Sequence, residues 1–224
     1  MPKILVAAAA IAALTAFAAP ASAAINLTYQ FNLDGTTGSA LPAGPYGTVN
    51  VTGDSSALHF QIDLASNYYF NDSKAFQAFD MLLGGTNISF SNITSGFASS
   101  GPGDFTAPSI VTNGDSTHFN YALLCDTVCA GGNPSGTISQ LIFDITGTGL
   151  NIGNISDTNN HPGLPIYFGA DISYQGGASA ITGNIGATLI DGVPEPATWA
   201  LFILGFGFIG GMMRMGRSRH SAIA

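Results

Sequence analysis

Strict alternation of apolar and polar residues along many short segments is the feature that most constrains this fold. In INLTYQFNL, residues 25–33, every second side chain is apolar, and ALHFQIDL, residues 57–64, repeats the pattern. Successive side chains of a β-strand point to opposite faces, so each segment predicts a half-buried antiparallel strand. Further alternating sets are Val49 and Val51; Ile88 and Phe90; Phe119, Tyr121 and Leu123; Leu141, Phe143 and Ile145; and Phe168, Ala170, Ile172 and Tyr174.

The segments between these strands are rich in Gly, Asn, Asp, Ser and Pro, which are turn-forming residues. One stretch, Ser73 to Gly84, is compatible with a short helix, but a strand is preferred there. Residues 24–193 are long enough for one domain with a buried core. We therefore predict an all-β fold for them, an antiparallel β-sandwich or jelly roll.

The first 23 residues have the pattern of a secretory signal peptide. Lys3 precedes an apolar stretch from Ile4 to Ala19, which is shorter than the ~20 residues needed to span a bilayer. A proline and then Ala21-Ser22-Ala23 follow, and the small residues Ala21 and Ala23 fit the signal-peptidase rule. We predict cleavage after Ala23 and export of the rest of the chain.

Export favours a disulfide between the two cysteines, Cys125 and Cys129. A bond between residues four apart closes a small loop and limits the entropic stabilisation. Free or functional thiols are the alternative. A zinc site is not indicated, because no histidine lies near the pair in the sequence.

Charge is scarce in the predicted domain and almost all of it is negative. Residues 24–193 hold twelve Asp, no Glu and a single Lys, Lys74, which gives a formal charge of −11. Such a surface repels a phosphate backbone, so nucleic acid is excluded as a partner. Neutral sugars and divalent cations are the ligands that this composition favours.

The C-terminal segment combines a proline-flanked motif, an apolar span and a basic end. Pro194-Glu195-Pro196 precedes an uncharged stretch, 197–213, which spans ~26 Å as a helix and is predicted to be a C-terminal transmembrane helix. The prolines keep an α-helix from running back into the domain. The basic end predicts a cytoplasmic C-terminus and an exported domain. The residues that define this pattern are Pro194, Glu195, Pro196, Trp199, Arg214, Arg217 and Arg219.

These residues closely resemble the PEP-CTERM sorting signal of exported proteins in Gram-negative bacteria that make exopolysaccharide. The resemblance implies that an exosortase, a membrane enzyme, recognises and removes the tail. It also implies delivery to the cell surface or the matrix. The arginines here are spaced, as RMGRSR, rather than consecutive. The predicted divisions are a signal peptide (1–23), an extracytoplasmic domain (24–193), a sorting signal (194–219) and a cytoplasmic tip (220–224). A generic tail anchor with a proline-rich stalk is the alternative.

Three motifs that suggest enzymes are set aside. Residues 205–210 read G-x-G-x-x-G, but a dinucleotide site also needs a following helix–strand unit and an acidic residue ~20 positions on. GDSS (53–56) and GDST (114–117) resemble the nucleophile block of GDSL-type esterases, with Ser55 and Ser116 as the candidate nucleophiles. Those enzymes also need D-x-x-H, whereas Asp157 and His161 are one position too far apart. Both blocks are therefore read as turns.

The remaining polar residues do not form a recognisable metal or catalytic motif. Four histidines, at positions 59, 118, 161 and 220, lack the spacing of a transition-metal site, and His59 and His118 are predicted to be surface residues. Calcium binding in a loop, for example at Asp157 with Asn159 and Asn160, is the open alternative to having no cofactor. In the run Tyr68-Tyr69-Phe70, at least one ring should point outward from a strand.

The sequence as a whole predicts an exported, non-catalytic protein with a structural or adhesive role at the surface or in the exopolysaccharide matrix. Its expected partners are a signal peptidase, an exosortase-type transpeptidase and exopolysaccharide. A lectin-like carbohydrate-binding module, with or without calcium, is the main alternative, and a secreted hydrolase is the third.

Overall fold

Alternating segments of this chain form strands throughout the part that the structure describes. The computed structural model describes residues 24–35, 41–71, 77–103, 105–106, 118–125, 129, 137–157, 164–177, 180–192 and 206. Its strands are β1 (Ile25–Asp34), β2 (Gly47–Gly53), β3 (Ala57–Leu64), β4 (Tyr68–Phe70), β5 (Phe79–Met81), β6 (Leu83–Ser91), β7 (Phe97–Ser100), β8 (Phe105–Thr106), β9 (His118–Phe119), β10 (Tyr121–Cys125), β11 (Gln140–Ile152), β12 (Ile155–Asp157), β13 (Leu164–Ile166), β14 (Phe168–Tyr174) and β15 (Ile181–Gly192). The prediction of an all-β domain is confirmed for the described residues between 24 and 192.

Eleven of the strands form one antiparallel sheet. Ten of them follow the order β6-β11-β3-β2-β1-β15-β14-β5-β10-β7, and β4 pairs with β14 off this path. Strands β8 and β9 form a small separate ribbon, as do β12 and β13. The sheet thus connects the first strand of the domain to the last through the β1–β15 pair, which spans Leu27↔Gly192 to Asp34↔Ile185.

Most of the apolar side chains that alternation predicts to lie inside are buried. Those that are only half-buried are Ile25, Leu27, Leu64, Ile88, Phe90 and Tyr174. On β3, Leu58, Phe60 and Ile62 are at most 2% exposed, while His59 between them is exposed. The ambiguous stretch from Ser73 to Gly84 contains β5 and the start of β6, so the preferred strand is confirmed from Phe79 onward; residues 72–76 lie outside the described part.

A cluster of phenylalanines forms the centre of the core. Phe60 of β3 stacks on Phe143 of β11 with ring centroids 4.7 Å apart. Phe79 of β5 stacks on Phe168 of β14 at 5.5 Å. Edge-to-face contacts join the two stacks, at 6.2 Å for Phe60–Phe168 and 6.0 Å for Phe79–Phe143. The core therefore lies between two halves of the same sheet, one containing β3 and β11 and the other β5 and β14.

The two ends of the sheet approach each other, so that it nearly closes on itself. Phe90 of β6 and Tyr121 of β10 have ring centroids 5.6 Å apart. Asn120, just before β10, accepts a hydrogen bond from the Leu83 backbone N–H at 2.8 Å and donates one to the Leu83 carbonyl at 2.7 Å. The Asn120 side chain therefore satisfies both backbone groups of Leu83, the first residue of β6. This contact joins β6, at one end of the sheet, to the start of β10, near the other end.

The turn between β2 and β3 shows why GDSS is a structural motif. Asp54 Oδ1 accepts hydrogen bonds from Ser56 N at 2.7 Å, Ser56 Oγ at 2.6 Å and Ala57 N at 3.1 Å. Gly53 has φ +135°, and a Cβ there would lie 2.0 Å from the Ala57 carbonyl oxygen. Gly and Asp are thus required by the hairpin, as the interpretation of the motif as a turn predicts.

Cys125 and Cys129 lie with their sulfurs 2.09 Å apart, in agreement with the predicted disulfide. Both residues are buried in the main apolar core. The bond therefore holds the end of β10 and the residue four positions later against the core.

Candidate functional site

Most residues of the two predicted targeting signals lie outside the described part of the chain. This holds for Ala21 and Ala23 of the signal-peptide cleavage site and for the sorting-motif residues Pro194, Glu195, Pro196, Trp199, Arg214, Arg217 and Arg219. Phe206 is described, is helical and is 70% exposed. Within the described residues, no helix combines the length and the apolar character needed to cross a bilayer.

The esterase-like elements do not come together in the described structure. Ser55 lies exposed in the β2–β3 turn, and its backbone carbonyl accepts a hydrogen bond from Leu150 N at 2.8 Å. Ser116 and His161 lie outside the described residues. In the described part of the chain, no group of three or more His, Cys, Asp or Glu residues is placed to hold a metal ion. Asn159 and Asn160, proposed for a calcium loop with Asp157, also lie outside it.

The aromatic run at β4 places two rings inside and one outward. Tyr68 and Phe70 are buried, whereas Tyr69 is half-buried on the opposite face. Tyr69 borders a shallow polar depression of about 340 Å³ with Ser66, Asn67 and Ser139. The predicted outward ring is therefore Tyr69, and it lies beside polar groups.

A continuous surface of polar side chains, most of them uncharged, covers the outer side of β1, β2, β3 and β11. We call it the polar face. The register aligns its members in rows across the strands: Asn26, Thr52, His59, Asp144 and Ser91; Thr28, Asn50 and Gln61; and Gln30, Thr48, Asp63 and Gln140. Directly opposite side chains lie about 4.5–5.5 Å apart in such a pair. The rows therefore present hydroxyl and amide groups at regular spacing.

Hydrogen bonds within the polar face fix the orientation of several of these side chains. Thr28 Oγ1 donates to Asn50 Oδ1 at 3.1 Å. Asp63 accepts one bond from Gln61 Nε2 at 2.8 Å and another from Gln140 Nε2 at 2.6 Å. Amide donors rather than cations thus satisfy this carboxylate, and the surface remains poor in positive charge.

Asp144 is the centre of a small cluster at one end of the polar face. His59 Nδ1 lies 2.6 Å from Asp144 Oδ1, and Asn92 Nδ2 donates to Asp144 Oδ2 at 2.5 Å. The side chains of His59 and Asp144 are 49% and 30% exposed. The bond through Nδ1 leaves Nε2 of the imidazole available to a ligand.

Hydrogen bonding sets the ionisation of this cluster. The Asn92 amide, followed by the His59 imidazole, holds the pKa of the Asp144 carboxyl below its ordinary value of 3.8. Both partners favour the charged form, and burial opposes them only weakly. Asp144 is therefore a carboxylate at neutral pH and orients the ring of His59.

The lowered pKa of Asp144 predicts a contribution to acid stability. A carboxyl whose pKa is lower in the folded than in the unfolded chain stabilises the fold above its unfolded value, and that stabilisation disappears as the pH falls through the folded value. We expect Asp144→Asn to lose less stability than the wild type when the pH is lowered from about 5 to 2. Urea unfolding at several pH values measures this, with Asn50→Ala as the control whose pH profile should follow the wild type, because Asn50 bonds to Thr28 and not to a carboxyl group. If Asp144→Asn and the wild type lose the same unfolding free energy as the pH falls, the lowered pKa of Asp144 is contradicted.

His59 and Asp144 border an open depression of about 470 Å³ with Thr52, Ser91 and Asn92. A histidine oriented by a carboxylate is the arrangement of a general base, but nucleophilic catalysis also requires a hydroxyl or thiol within hydrogen-bond reach of the imidazole. Among the hydrogen bonds of the described residues, none joins His59 to a hydroxyl. The cluster therefore provides groups that can form hydrogen bonds to a ligand. Among the described residues, it has no activated nucleophile.

The sequence placed His59 on the surface but gave no indication of its partner. His59 and Asp144 are separated by 85 positions, and only the β3–β11 register brings them opposite each other. Each lies between buried residues of its own strand, so alternation shows that both point outward. Strand order, which the sequence does not show, determines that they meet.

Comparison with protein-family models, with curated proteins and with solved structures finds no match to this chain.

Proposed function

We propose that the chain is an exported protein of the cell surface or exopolysaccharide matrix of a Gram-negative bacterium, with a structural or adhesive and non-catalytic role. The signal-peptide pattern of residues 1–23 and the PEP-CTERM-like pattern of residues 194–219 support export and sorting. A signal peptidase would cleave after Ala23, and an exosortase-type transpeptidase would remove the tail.

The polar face is the observation that carries the proposed role. Its aligned Asn, Gln and Thr side chains offer donors and acceptors, and it has no Lys or Arg among its described members. Neutral polysaccharide presents many hydroxyl groups that both donate and accept hydrogen bonds. A surface ordered by its own amide bonds, as at Asp63, loses little side-chain entropy when it binds such a polymer. Contact with exopolysaccharide is therefore the function that this surface supports best.

A lectin-like carbohydrate-binding module is the second candidate, and the depression at His59 favours it. Asp144 and Asn92 provide acceptor and donor groups beside the free Nε2 of the imidazole. Concave sites with a few convergent polar groups are typical of small-ligand binding. In this case one sugar unit, rather than an extended polymer, would be recognised.

We also propose that the eleven-stranded sheet folds into a β-sandwich of jelly-roll type. The stacked pairs Phe60–Phe143 and Phe79–Phe168 face each other across the core, as the inner faces of two layers would. The continuous hydrogen bonding through β1 and β15 would then form one side of the sandwich.

One experiment tests export and processing together. The full-length gene is expressed in a Gram-negative host with an exosortase, and the protein is recovered from the medium, surface and membrane fractions. We expect an intact mass that corresponds to a chain from Ala24 to about Pro194–Pro196, with or without an adduct. A surface form that retains Trp199 through Arg219 would show that the tail is an ordinary anchor.

Variants of the polar face then test the adhesive role. We expect Asn50→Ala combined with Gln61→Ala to reduce retention in the matrix at least fivefold, because the central row loses its amides. Ser99→Ala, an exposed polar change on β7, is the matched control and should be retained like the wild type. A glycan array with and without chelator separates the two candidates: binding to one defined sugar that is lost in His59→Ala supports the lectin-like module. Unchanged retention of the double variant contradicts the role of the polar face.

A further inference from the structure

Exposed aliphatic side chains of the domain gather near the end of β15, from which the chain continues into the predicted tail. Among the described residues from 24 to 192, the large apolar side chains that are exposed are Leu164 at 44%, Leu189 at 41% and Ile190 at 50%. The half-buried Ile25 and Leu27 lie at the start of β1, beside them. We call these five residues the apolar corner. Exposed apolar residues that cluster in this way indicate a surface of contact.

The antiparallel register brings the apolar corner together. Leu27 pairs with Gly192 at the end of β15, and Ile25 lies two residues closer to the start of β1. Strand β13 precedes β14 in the chain and lies against β15. Because β14 runs antiparallel to β15, Leu164 of β13 lies toward the C-terminal end of β15. The first and the last strand of the domain therefore meet at this corner.

Incomplete pairing at the end of β15 exposes two successive side chains. Strand β14 pairs with β15 only as far as Ala187, so the rest of β15 has β1 as its neighbour on one side alone. On that side the register shifts between Thr28 and Tyr29, which leaves Ile190 as a bulge residue without a partner of its own on β1. Regular alternation would turn one of Leu189 and Ile190 inward, whereas here both contact solvent.

The tail limits how far the apolar corner can lie from a bilayer. Strand β15 ends at Gly192, and the predicted membrane span begins at Ala197. An extended chain covers at most ~3.3–3.6 Å per residue, so the steps from 192 to 197 reach no more than about 18 Å. Headgroups fill roughly 5–8 Å of that distance, since they lie on each side of the hydrocarbon core. A spanning tail thus keeps this corner close to lipid.

We infer that the apolar corner rests on the lipid surface while the tail holds the domain at the membrane, an inference that rests on the proposed function of the tail. Leu and Ile side chains are stabilised when they leave water for an apolar environment. Three exposed side chains bind a bilayer weakly by themselves, but a short tether gives them a high effective concentration there. Removal of the tail ends the tether, so the same cut would release the corner from the lipid.

The charge of the domain indicates which lipid surface suits this contact. Residues 24–193 carry a formal charge of −11, and Asp191 directly follows Ile190 in the sequence. An anionic surface repels such a domain, and salt screens the repulsion. We therefore expect contact with zwitterionic phosphatidylcholine, and a weaker contact at low salt when anionic phosphatidylglycerol is added.

Fluorescence quenching in vesicles tests the contact. The full chain with Leu164→Cys is labelled with a thiol-reactive dye and reconstituted into phosphatidylcholine vesicles that contain a lipid with a nitroxide near its headgroup. The two native cysteines are bonded to each other, so the dye reacts with the introduced one. Ser66→Cys is the matched control, because Ser66 is exposed in the turn after β3, at the opposite end of the β2–β3 ladder. We expect quenching at position 164 to be about threefold or more that at position 66.

Variants of the corner show which side chains make the contact. Leu189→Ser combined with Ile190→Ser removes the two exposed side chains nearest the tail, and we expect quenching at position 164 to fall to the level of position 66. Ile190→Ser alone serves if the double variant does not fold, and we expect it to reduce the quenching about twofold, because half of the exposed apolar area of this pair is lost. Unchanged quenching in these variants would show that other residues touch the lipid and would overturn the inference.

Trp199 reports on the tail separately, because it is the single tryptophan of the chain and lies in the predicted span. If the nitroxide lipid quenches Trp199 while the labels at positions 164 and 66 are quenched equally, the inference is wrong and the proposed role of the tail stands. If Trp199 is not quenched, the membrane span itself is contradicted, and the inference is overturned with it.

Discussion

Phe168→Ala is expected to destabilise the domain by about 3–5 kcal/mol, the range measured for removal of a large buried aromatic side chain. Phe168 is fully buried and contacts three rings from three other strands: Tyr29 at 4.8 Å, Phe60 at 6.2 Å and Phe79 at 5.5 Å. Its removal opens a cavity between the two halves of the sheet. Because both halves provide its walls, the cavity cannot collapse without moving one half relative to the other.

Urea unfolding of the purified protein measures this loss, with Phe90→Ala as the control. Phe90 has the same side chain but is half-buried, at the edge strand β6. We expect a cost of about 1–2 kcal/mol for it, because less apolar area leaves water on folding. Equal losses for the two variants would show that the packing around Phe168 is not the centre of the core.

Asn120→Ala is expected to cost about 2–4 kcal/mol, which is large for a side chain that is only partly buried. The variant leaves the N–H and the C=O of Leu83 without the two bonds that Asn120 provides, and each unsatisfied buried group costs about 1–3 kcal/mol. Leu83 is 2% exposed, so water does not readily replace them. Urea unfolding gives the free energy, and hydrogen exchange at the Leu83 amide should become faster.

Asn120→Asp tests the two hydrogen bonds separately. A carboxylate can still accept a bond from the Leu83 N–H, but it cannot donate one to the Leu83 carbonyl. We expect a loss of stability that is at least as large as half of that in Asn120→Ala. Asn50→Ala is the control, since Asn50 makes its bond to Thr28 on the exposed polar face, and we expect a change within about 0.5 kcal/mol. A similarly small effect in Asn120→Ala would mean that the sheet ends are held by apolar contacts alone.

Strand positions and core residues could be predicted from the sequence because both depend on local patterns. Phe60 and Phe143 were assigned to the core from alternation alone, and both are fully buried. The β2–β3 turn could be predicted for the same reason, since Gly53 and Asp54 act on their immediate neighbours. Partners distant in sequence could not be predicted in this way.

Strand order and closure depend on contacts between distant parts of the chain. Nothing in the residues around Asn120 indicates that its amide will complete the pairing of Leu83, 37 positions earlier. The outer face of β14 shows a different limit. Alternation places Asp171 and Ser173 on the face opposite the core, where exposure is the usual outcome, yet they are 3% and 0% exposed. Alternation determines which residues share a face and does not determine what that face contacts.

The lack of positive charge on the polar face has a consequence for the conditions under which the surface works. Attraction between charged groups weakens as dissolved ions accumulate, because the Debye length falls from about 30 Å at 0.01 M to about 3 Å at 1 M ionic strength. Hydrogen bonds made by Thr28, Asn50 and Gln61 do not depend on long-range fields. A contact built on these rows should hold equally well in fresh water and in brine.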